Sequence, residues 1–276
     1  MNTSLINSLL RNIVNSDIMK GIKQQKIKDK RNAIELKIKV KVPYPIKERY
    51  YPVVPLNIYQ TWHTKDLPPL MKASVNQIIY SNPGFNYQLF DDDDCRNFIK
   101  DNFDTNVLNA FDSLIPGAYK ADLWRYCILY KNGGVYLDIK YRPFNGFKFI
   151  SLTEKEHWVL DMDKNGIYNA LMVCKPNNEI LLKAINQIVI NVKNKFYGNC
   201  FLEPTGPRLL AIFFTKEEMA NFDTKHILTG QNDYDKYISL NNNKILQCYS
   251  GYLRDRGKYS IKKHYSDLWK ERRIYL

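Results

Sequence analysis

Residues 132–140 read Asn-Gly-Gly-Val-Tyr-Leu-Asp-Ile-Lys, and this stretch decides how the chain folds. The two glycines break a helical pattern, and a short apolar run then delivers one carboxylate, Asp138. A strand that ends in a charged residue places that charge at its carboxyl end, where open α/β sheets bind ligands. The stretch therefore predicts a helix, a tight turn and a strand that leads into a binding site.

Strand and helix patterns alternate outward from this stretch. Alternation of this kind is typical of an α/β fold with a parallel sheet. The acidic run 91–94 opens one helix, where its charges suit the helix dipole, and we interpret it as structural rather than as a metal site. The predicted strands are 57–62, 87–90, 135–139, 158–161 and 170–173, and the predicted helices are 67–79, 95–102, 119–130 and 180–192.

The positive charge is concentrated at the two ends of the chain. The 276 residues are 45% hydrophobic, which excludes a disordered protein, and the net charge is +13. Residues 1–49 and 254–273 hold the whole excess. We predict a basic extension over 1–49 that is helical or a tail, a folded body over 50–253, and a basic segment over 254–276 that completes the site or forms a surface helix. The ends are either solvated or contact anionic partners such as nucleotide diphosphates, nucleic acid or lipid.

The number of cysteines and the hydropathy of the sequence indicate the cellular compartment of the protein. The five cysteines are odd in number and widely spaced, which favours a reducing compartment over a disulfide framework or a zinc site. We expect no transmembrane helix, because no continuous apolar run is long enough, and the first residues are a poor secretory signal. The expectation is a cytoplasmic protein, with peripheral membrane contact through the basic ends as an alternative.

Asp122, Arg125 and Asp138 form the constellation that carries chemistry. Positions 122 and 125 are neighbours on a helix, so the two side chains either pair with each other or both face a ligand. The glycine turn keeps the strand that carries Asp138 close to this helix. Taken alone, the pattern also fits an ordinary helix–strand turn with a surface ion pair.

The ordered motifs give the chain a resemblance to family 32 glycosyltransferases. This DXD-motif group includes initiating α-1,6-mannosyltransferases and inositol-phosphoceramide mannosyltransferases. The pattern Ala-Asp-x-x-Arg-Tyr followed by Gly-Gly-x-Tyr-x-Asp is specific when both halves occur together. The matching segments are 58–62, 82–87, 121–126, 129–138 and 205–207, with a weaker echo at 264–269.

The resemblance implies a GT-A fold, a Rossmann-like α/β domain with a mostly parallel central sheet and flanking helices. It also implies transfer of a sugar from a GDP- or UDP-linked donor to a glycan, protein or lipid hydroxyl, with retention of configuration. Such a transfer develops positive charge at the anomeric carbon and negative charge on the departing diphosphate. A divalent cation, Mn²⁺ or Mg²⁺, usually neutralises the diphosphate through oxygen ligands. We expect no nucleic-acid partner, because the basic excess lies away from the motifs.

The resemblance also assigns roles to individual residues. Asp138 matches the first acid of the motif and would contact the donor ribose or the metal, while Asp122 and Arg125 would hold the donor sugar or phosphate. The residues implied for the nucleotide-sugar site are Gln60, Trp62 and Tyr136, those for the sugar or acceptor loop are Asp161, Asp163, Thr205 and Gly206, and the metal ligands are Asp138 and His264.

Lys140 departs from the family pattern, because it occupies the position of the second acid. The ammonium could neutralise the diphosphate without a metal, since it is a compact charge suited to phosphate. Alternatively, Asp138 holds the ion with His264 or waters, or Lys140 points away and Asp161 or Asp163 reaches in. The last alternative is loss of catalysis with donor binding kept. The competing functions are thus a glycosyltransferase, a catalytically weakened nucleotide-sugar-binding protein and, outside the family, a basic nucleic-acid-binding protein.

Overall fold

The structure is a computed structural model that describes residues 46–259 and 263–276. Of the predicted basic extension, only residues 46–49 fall within the described part of the chain. The strands are β1 (Asn57–Thr61), β2 (Asn86–Phe90), β3 (Gly134–Leu137), β4 (Tyr141–Pro143), β5 (His157–Leu160), β6 (Ile167–Cys174), β7 (Thr224–Leu228), β8 (Lys236–Leu240) and β9 (Asn243–Cys248). The α-helices are α1 (Pro69–Ser81), α2 (Asp92–Asn102), α3 (Thr105–Ser113), α4 (Gly117–Asn132), α5 (Glu179–Lys193), α6 (Pro207–Ala211), α7 (Lys216–Ala220), α8 (Tyr252–Tyr259) and α9 (Tyr265–Lys270).

The described strands form one sheet in the order β2-β1-β3-β6-β5-β7-β8-β9-β4. The predicted α/β class is confirmed, and every strand and helix predicted from the sequence is present. The prediction of a mostly parallel sheet is wrong. The strand pairs β1–β2, β1–β3 and β5–β7 are parallel, but β6 runs antiparallel to both of its neighbours, and β8, β9 and β4 are also joined by antiparallel pairing. A short apolar run predicts a buried strand but does not reveal its direction.

The turn between α4 and β3 requires glycine, which has no side chain, at two positions. Gly133 and Gly134 have φ angles of 61° and 118°, which L side chains rarely adopt. A Cβ on Gly134 would lie 2.9 Å from the carbonyl oxygen of Asn57, and one on Gly133 would lie 2.7 Å from Pro176. The two glycines therefore let the chain pass from α4 into β3 while the start of β3 lies in close contact with β1.

Helix α4 is buried on all sides. The sequence predicts a single apolar stripe, but every residue from Asp122 to Leu129 is buried. The helix packs against α5 and also contacts α2 and α3. This enclosure is why two charged residues of α4, Asp122 and Arg125, must find partners inside the protein.

The two faces of the sheet are covered by different helices. Tyr59 and Tyr136 point into the core formed with α4 and α5, whereas Ile58 and Val135 point into a second core that contains Ile78 of α1. This alternation is the side-chain period of a strand. Among the described residues, none of the helices combines the length and the apolar character needed to cross a membrane.

The acidic run serves as the start of α2. Asp91 accepts a hydrogen bond from the Asp94 amide at 2.9 Å, and Asp94 accepts one from the Asp91 amide at 3.1 Å. This reciprocal pair is a capping box, which satisfies two of the free amide groups at a helix start. The structural interpretation of residues 91–94 is confirmed.

Candidate functional site

Polar side chains meet along the edge of the sheet where β1, β3 and β5 have their carboxyl ends. Gln60 lies near the end of β1, and Asp138 and Asp161 directly follow β3 and β5. Because β6 runs in the opposite direction, its first residues, including Tyr168 and Asn169, reach the same edge. The site is therefore built from strand ends of both directions.

Asp138 lies at the centre of this edge with both oxygens engaged. Its Oδ1 accepts hydrogen bonds from Arg125 at 3.2 Å and from the Tyr136 hydroxyl at 2.8 Å, and its Oδ2 accepts one from Lys140 Nζ at 2.5 Å. Burial alone would raise the pKa of Asp138, but the charges of Lys140 and Arg125, with hydrogen bonds from Lys140 and Tyr136, lower it to about 2. The carboxylate is thus ionised at neutral pH.

Arg125 ties the helix to the strand ends. Its Nε donates to the carbonyl of Ala121 at 3.1 Å, one terminal nitrogen donates to the carbonyl of Asn169 at 2.7 Å, and the other lies 3.3 Å from Asp122. The guanidinium also stacks over the Tyr136 ring at 4.3 Å. Burial would lower the pKa of Arg125, but Tyr136, Asp122 and Asp138 raise it, so the charge is held in place.

Asp122 is buried beneath Arg125 and has its own hydrogen-bond donors. Asn169 donates to one carboxylate oxygen at 2.9 Å, and the Thr205 hydroxyl donates to the other at 2.8 Å. A Cβ on Gly206 would lie 3.4 Å from the same carboxylate. The sequence predicts Thr205 and Gly206 for a sugar or acceptor loop. In the structure they pack directly against Asp122 and so join the start of α6 to α4.

Lys140 points into the site. In addition to its contact with Asp138, its ammonium lies 5.5 Å from the Tyr141 ring centre and 5.3 Å from that of Tyr168. Its side chain is 19% exposed, so it is mostly buried but reaches the surface. Burial would lower the pKa of Lys140, but Asp138 raises it. The alternative in which Lys140 points away is wrong.

Gln60 and Trp62 line the β1 side of the same edge. The Gln60 carbonyl accepts a hydrogen bond from the Tyr87 hydroxyl at 2.9 Å, and its amide nitrogen lies 3.4 Å from the Asp138 carbonyl. Trp62 packs on a small cluster that contains Ile139. Its indole N–H is buried and lacks a hydrogen-bond partner among the residues that the structure describes. A buried unpaired donor is rare and is consistent with a ligand contact.

Two of the predicted site residues, Asp163 and His264, contact residues outside the network around Asp138. Asp163 is exposed and forms an ion pair with Arg208. His264 directly precedes α9 and caps it, because its Nδ1 accepts a hydrogen bond from the Ser266 amide at 3.4 Å; Nδ1 also lies 2.7 Å from the Ser266 hydroxyl. Burial and the neighbouring charge of Arg256 lower the pKa of His264.

A histidine that the sequence did not indicate lies beside Asp161. His226 of β7 bonds Asp161 through Nδ1 at 3.0 Å and stacks on Tyr168 with ring centres 3.7 Å apart. Its Nε2 is buried and has no partner within the described ranges. Neither His226 nor Asn169 sits in a recognisable motif, so only the three-dimensional pairing of β5, β6 and β7 reveals them.

The donor set around Asp138 does not fit a hard divalent cation. Such ions prefer several oxygen ligands, mostly carboxylates. No group of three or more His, Cys, Asp or Glu side chains converges anywhere in ranges 46–259 and 263–276. Both oxygens of Asp138 are already bonded to Arg125, Tyr136 and Lys140, and the ammonium occupies the position next to Oδ2.

The fold and the site define an α/β protein with a charged binding site at the carboxyl ends of its strands. Residues 68–170 match the family model described as "Glycosyltransferase sugar-binding region containing DXD motif". That range contains Asp122, Arg125, Asp138 and Lys140. Over these residues the chain is similar to DXD-motif glycosyltransferases, as the predicted resemblance to family 32 implies.

The relatives are fungal enzymes and a viral protein. "Inositol phosphoceramide mannosyltransferase 2" of Schizosaccharomyces pombe is 31% identical over 169 residues, which cover 60% of this chain and 47% of that protein. "Mannosyl phosphorylinositol ceramide synthase SUR1" of Saccharomyces cerevisiae is 27% identical over 59% of this chain and 42% of its own length. "Uncharacterized glycosyltransferase L373" of Acanthamoeba polyphaga mimivirus is 35% identical over 89 residues, or 32% of this chain and 36% of that protein. The chain spans about half the length, or less, of these relatives.

Among solved structures, the chain is similar to one titled "PaToxG Glycosyltransferase". The TM-score is 0.49 at 17% identity, over 62% of this chain and 75% of that chain.

Proposed function

We propose that this chain is a glycosyltransferase that moves a sugar from a nucleotide-sugar donor to an acceptor hydroxyl. The observation that carries the proposal is the network of the buried Asp122 and Arg125 with the half-buried Asp138 at the carboxyl edge of the sheet. A buried acid and a buried arginine are costly to maintain. Their position at the edge where α/β sheets bind ligands supports a functional reason for them.

The chain's own residues divide the work of donor binding. Asp138 and Lys140 are the charged groups with accessible surface, at 21% and 19% exposure, so they are the ones that contact the donor. Arg125 is 7% exposed and acts as a positioning residue, because its bonds fix Asp138 and the start of β6. The unpaired indole N–H of Trp62 supports placing the nucleotide on the β1 side.

The relatives support a choice of donor. Two of the fungal relatives carry mannosyl transfer in their names, so we propose a mannosyl group, carried by GDP, as the first donor to test, with UDP-sugars as the alternative. The resemblance to family 32 supports retention of configuration as part of the proposal. Once the donor is known, glycan, protein and lipid acceptors are tested with it. An inositol-phosphate lipid is the first acceptor to test, because the names of the same two relatives contain it.

The test is donor hydrolysis and transfer with GDP-mannose and a panel of UDP-sugars. We expect turnover with one nucleotide class, and we expect Asp138→Ala to lose at least a hundredfold in kcat/KM, because the carboxylate would hold the donor. Asp101→Ala, a change of an exposed acid of α2, is the matched control and should keep full turnover. An Asp138→Ala variant with unchanged turnover would refute the assignment. NMR of the anomeric proton of the product reads out retention.

The ion pair between Asp138 and Lys140 favours a second candidate, a nucleotide-sugar-binding protein with weakened catalysis. In that case Lys140 neutralises the motif carboxylate and holds the donor without promoting departure of the diphosphate. Measurable binding of one nucleotide-sugar with no release of its sugar, in any combination of donor and acceptor, would select this candidate over the enzyme.

A further inference from the structure

We propose that the ammonium of Lys140 takes the place of a divalent cation, so that this chain binds the diphosphate of a nucleoside diphosphate without metal. The inference rests on the proposed donor site and concerns how its diphosphate is neutralised. It assigns Lys140 as a phosphate-binding residue.

Both oxygens of the carboxylate that would hold an ion already accept hydrogen bonds from protein groups. Asp138 Oδ2 lies 2.5 Å from Lys140 Nζ, and Asp138 Oδ1 accepts from Arg125 and Tyr136. A divalent cation on Oδ2 would have to displace the ammonium and would then face its positive charge. A hard cation needs several oxygen ligands, and no group of three or more candidate ligands converges among the described residues. The other two acids near this edge are also engaged, Asp161 with His226 and Asp122 with Asn169 and Thr205, so the ammonium is the favoured occupant.

The charge balance explains how a lysine can replace an ion. In the DXD pattern the second position carries a negative charge, and a divalent cation then adds two positive charges. Lysine at that position changes one negative charge into one positive charge, which is the same net change that the ion supplies. Only one of the three N–H groups of an ammonium is used on Asp138, so two remain to donate to phosphate oxygens.

The ammonium is held in a built site rather than on a free surface chain. The rings of Tyr141 and Tyr168 lie within cation–π distance of it, and the two hydroxyls are bonded to each other at 3.0 Å. Such contacts keep Lys140 in one position, which preorganises its charge for an anionic ligand.

A second cation lies beside the same site. Arg256 of α8 lies 5.9 Å from the Tyr252 ring centre. Burial raises the pKa of Tyr252, and both Lys140 and Arg256 act against that rise, which places both charges near its hydroxyl. Arg256, in the basic segment after residue 253, thus adds positive potential on the Tyr252 side of the site, which favours an anionic ligand.

The test measures binding of UDP and GDP by calorimetry, in EDTA and in millimolar Mn²⁺ or Mg²⁺. For the unaltered chain we expect the Kd of the preferred nucleotide to change by less than threefold between EDTA and metal. Lys140→Asp restores the two-acid pattern. We expect it to weaken binding in EDTA at least tenfold and to regain affinity when Mn²⁺ is added, which makes binding metal-dependent.

Two further variants keep the test decisive. Lys140→Arg retains the charge and should still bind in EDTA, so it reports on the charge even where Lys140→Asp fails to fold. Lys183→Asp makes the same charge change on the exposed face of α5 and should leave both affinities unchanged. Nucleotide binding that appears only with metal would overturn this inference and leave the proposed donor site standing. Absence of binding in either buffer would overturn both.

Discussion

Replacing the Asp138–Lys140 pair gives a quantitative test of how the site is stabilised. The pair is part of a network in which Arg125 bonds both Asp138 and Asp122. Removing the Asp138 charge by Asp138→Asn leaves the Lys140 ammonium without its carboxylate. Removing the Lys140 charge by Lys140→Met leaves Asp138 still bonded to Arg125 and Tyr136, so this change is expected to cost less.

The magnitude follows from the pKa of Asp138. A folded-state pKa of about 2, against the ordinary 3.8, corresponds to about 2 kcal/mol of stability at neutral pH. The charges of Lys140 and Arg125 both contribute to this stabilisation, and Lys140 contributes more. We therefore expect Asp138→Asn to lower the free energy of unfolding by about 2–3 kcal/mol and Lys140→Met by about 1 kcal/mol, while the double variant loses about 1 kcal/mol less than the sum.

The assay is urea unfolding of the four proteins at pH 7, followed by the same series at lower pH. Because the pKa of Asp138 is lower in the folded state, its contribution is fully present above 3.8 and is lost as pH falls through about 2. The gap between the unaltered protein and Asp138→Asn should therefore close in acid. Additivity of the two single changes to within ~0.3 kcal/mol, or a gap that widens in acid, would refute the reasoning.

Three further predictions concern the supports of the site. Gly134→Ala should lower the free energy of unfolding by at least about 2 kcal/mol in urea titrations, because the φ angle is 118° and the new Cβ would meet the Asn57 carbonyl at 2.9 Å; an unchanged midpoint would contradict the tight turn. Thr205→Val should cost about 1–3 kcal/mol, since it removes a hydrogen bond to the buried Asp122 carboxylate, whereas Thr205→Ser should restore most of it. Burial lowers the pKa of His226, so its imidazole should stay neutral below the usual value near ~6.5 and stability should fall as pH drops through the folded-state pKa; an NMR titration midpoint at or above ~6.5 would contradict this.

The sequence was sufficient wherever local chemistry decides the structure. The glycine pair, the acidic start of α2 and the run after Gly134 each act over a few residues, so the predicted turn, helix start and strand are all present. The spacing of Asp122 and Arg125 predicted that they are neighbours and left open whether they pair or both face a ligand; in the structure the two side chains lie 3.3 Å apart. The sequence could not show that this pair is buried, because burial of α4 depends on α2, α3 and α5 packing around it.

The orientation of the Lys140 side chain could not be predicted from the sequence, for a different reason. A residue two positions after Asp138 in an extended strand would point to the same face as Asp138. Asp138 follows the last residue of β3, however, and a turn links it to β4, where the Tyr141 amide bonds the Asp138 carbonyl at 2.9 Å. Pattern alone therefore left several orientations of Lys140 open, and the turn, with the tyrosine rings beside it, selects one.

The wrong prediction about the sheet and the failure to predict Asn169 in the site have one cause. In a fully parallel sheet only residues that follow a strand reach the binding edge, so a search of strand ends would find Gln60, Asp138 and Asp161. Strand β6 enters between β3 and β5 in the opposite direction, so the edge also receives residues from its beginning. Asn169, near that beginning, accepts from Arg125 through its carbonyl and donates to Asp122 through its side chain. The reversed strand thus supplies the connection that holds the charged network together, and a sheet of purely parallel strands could not have supplied it from that position.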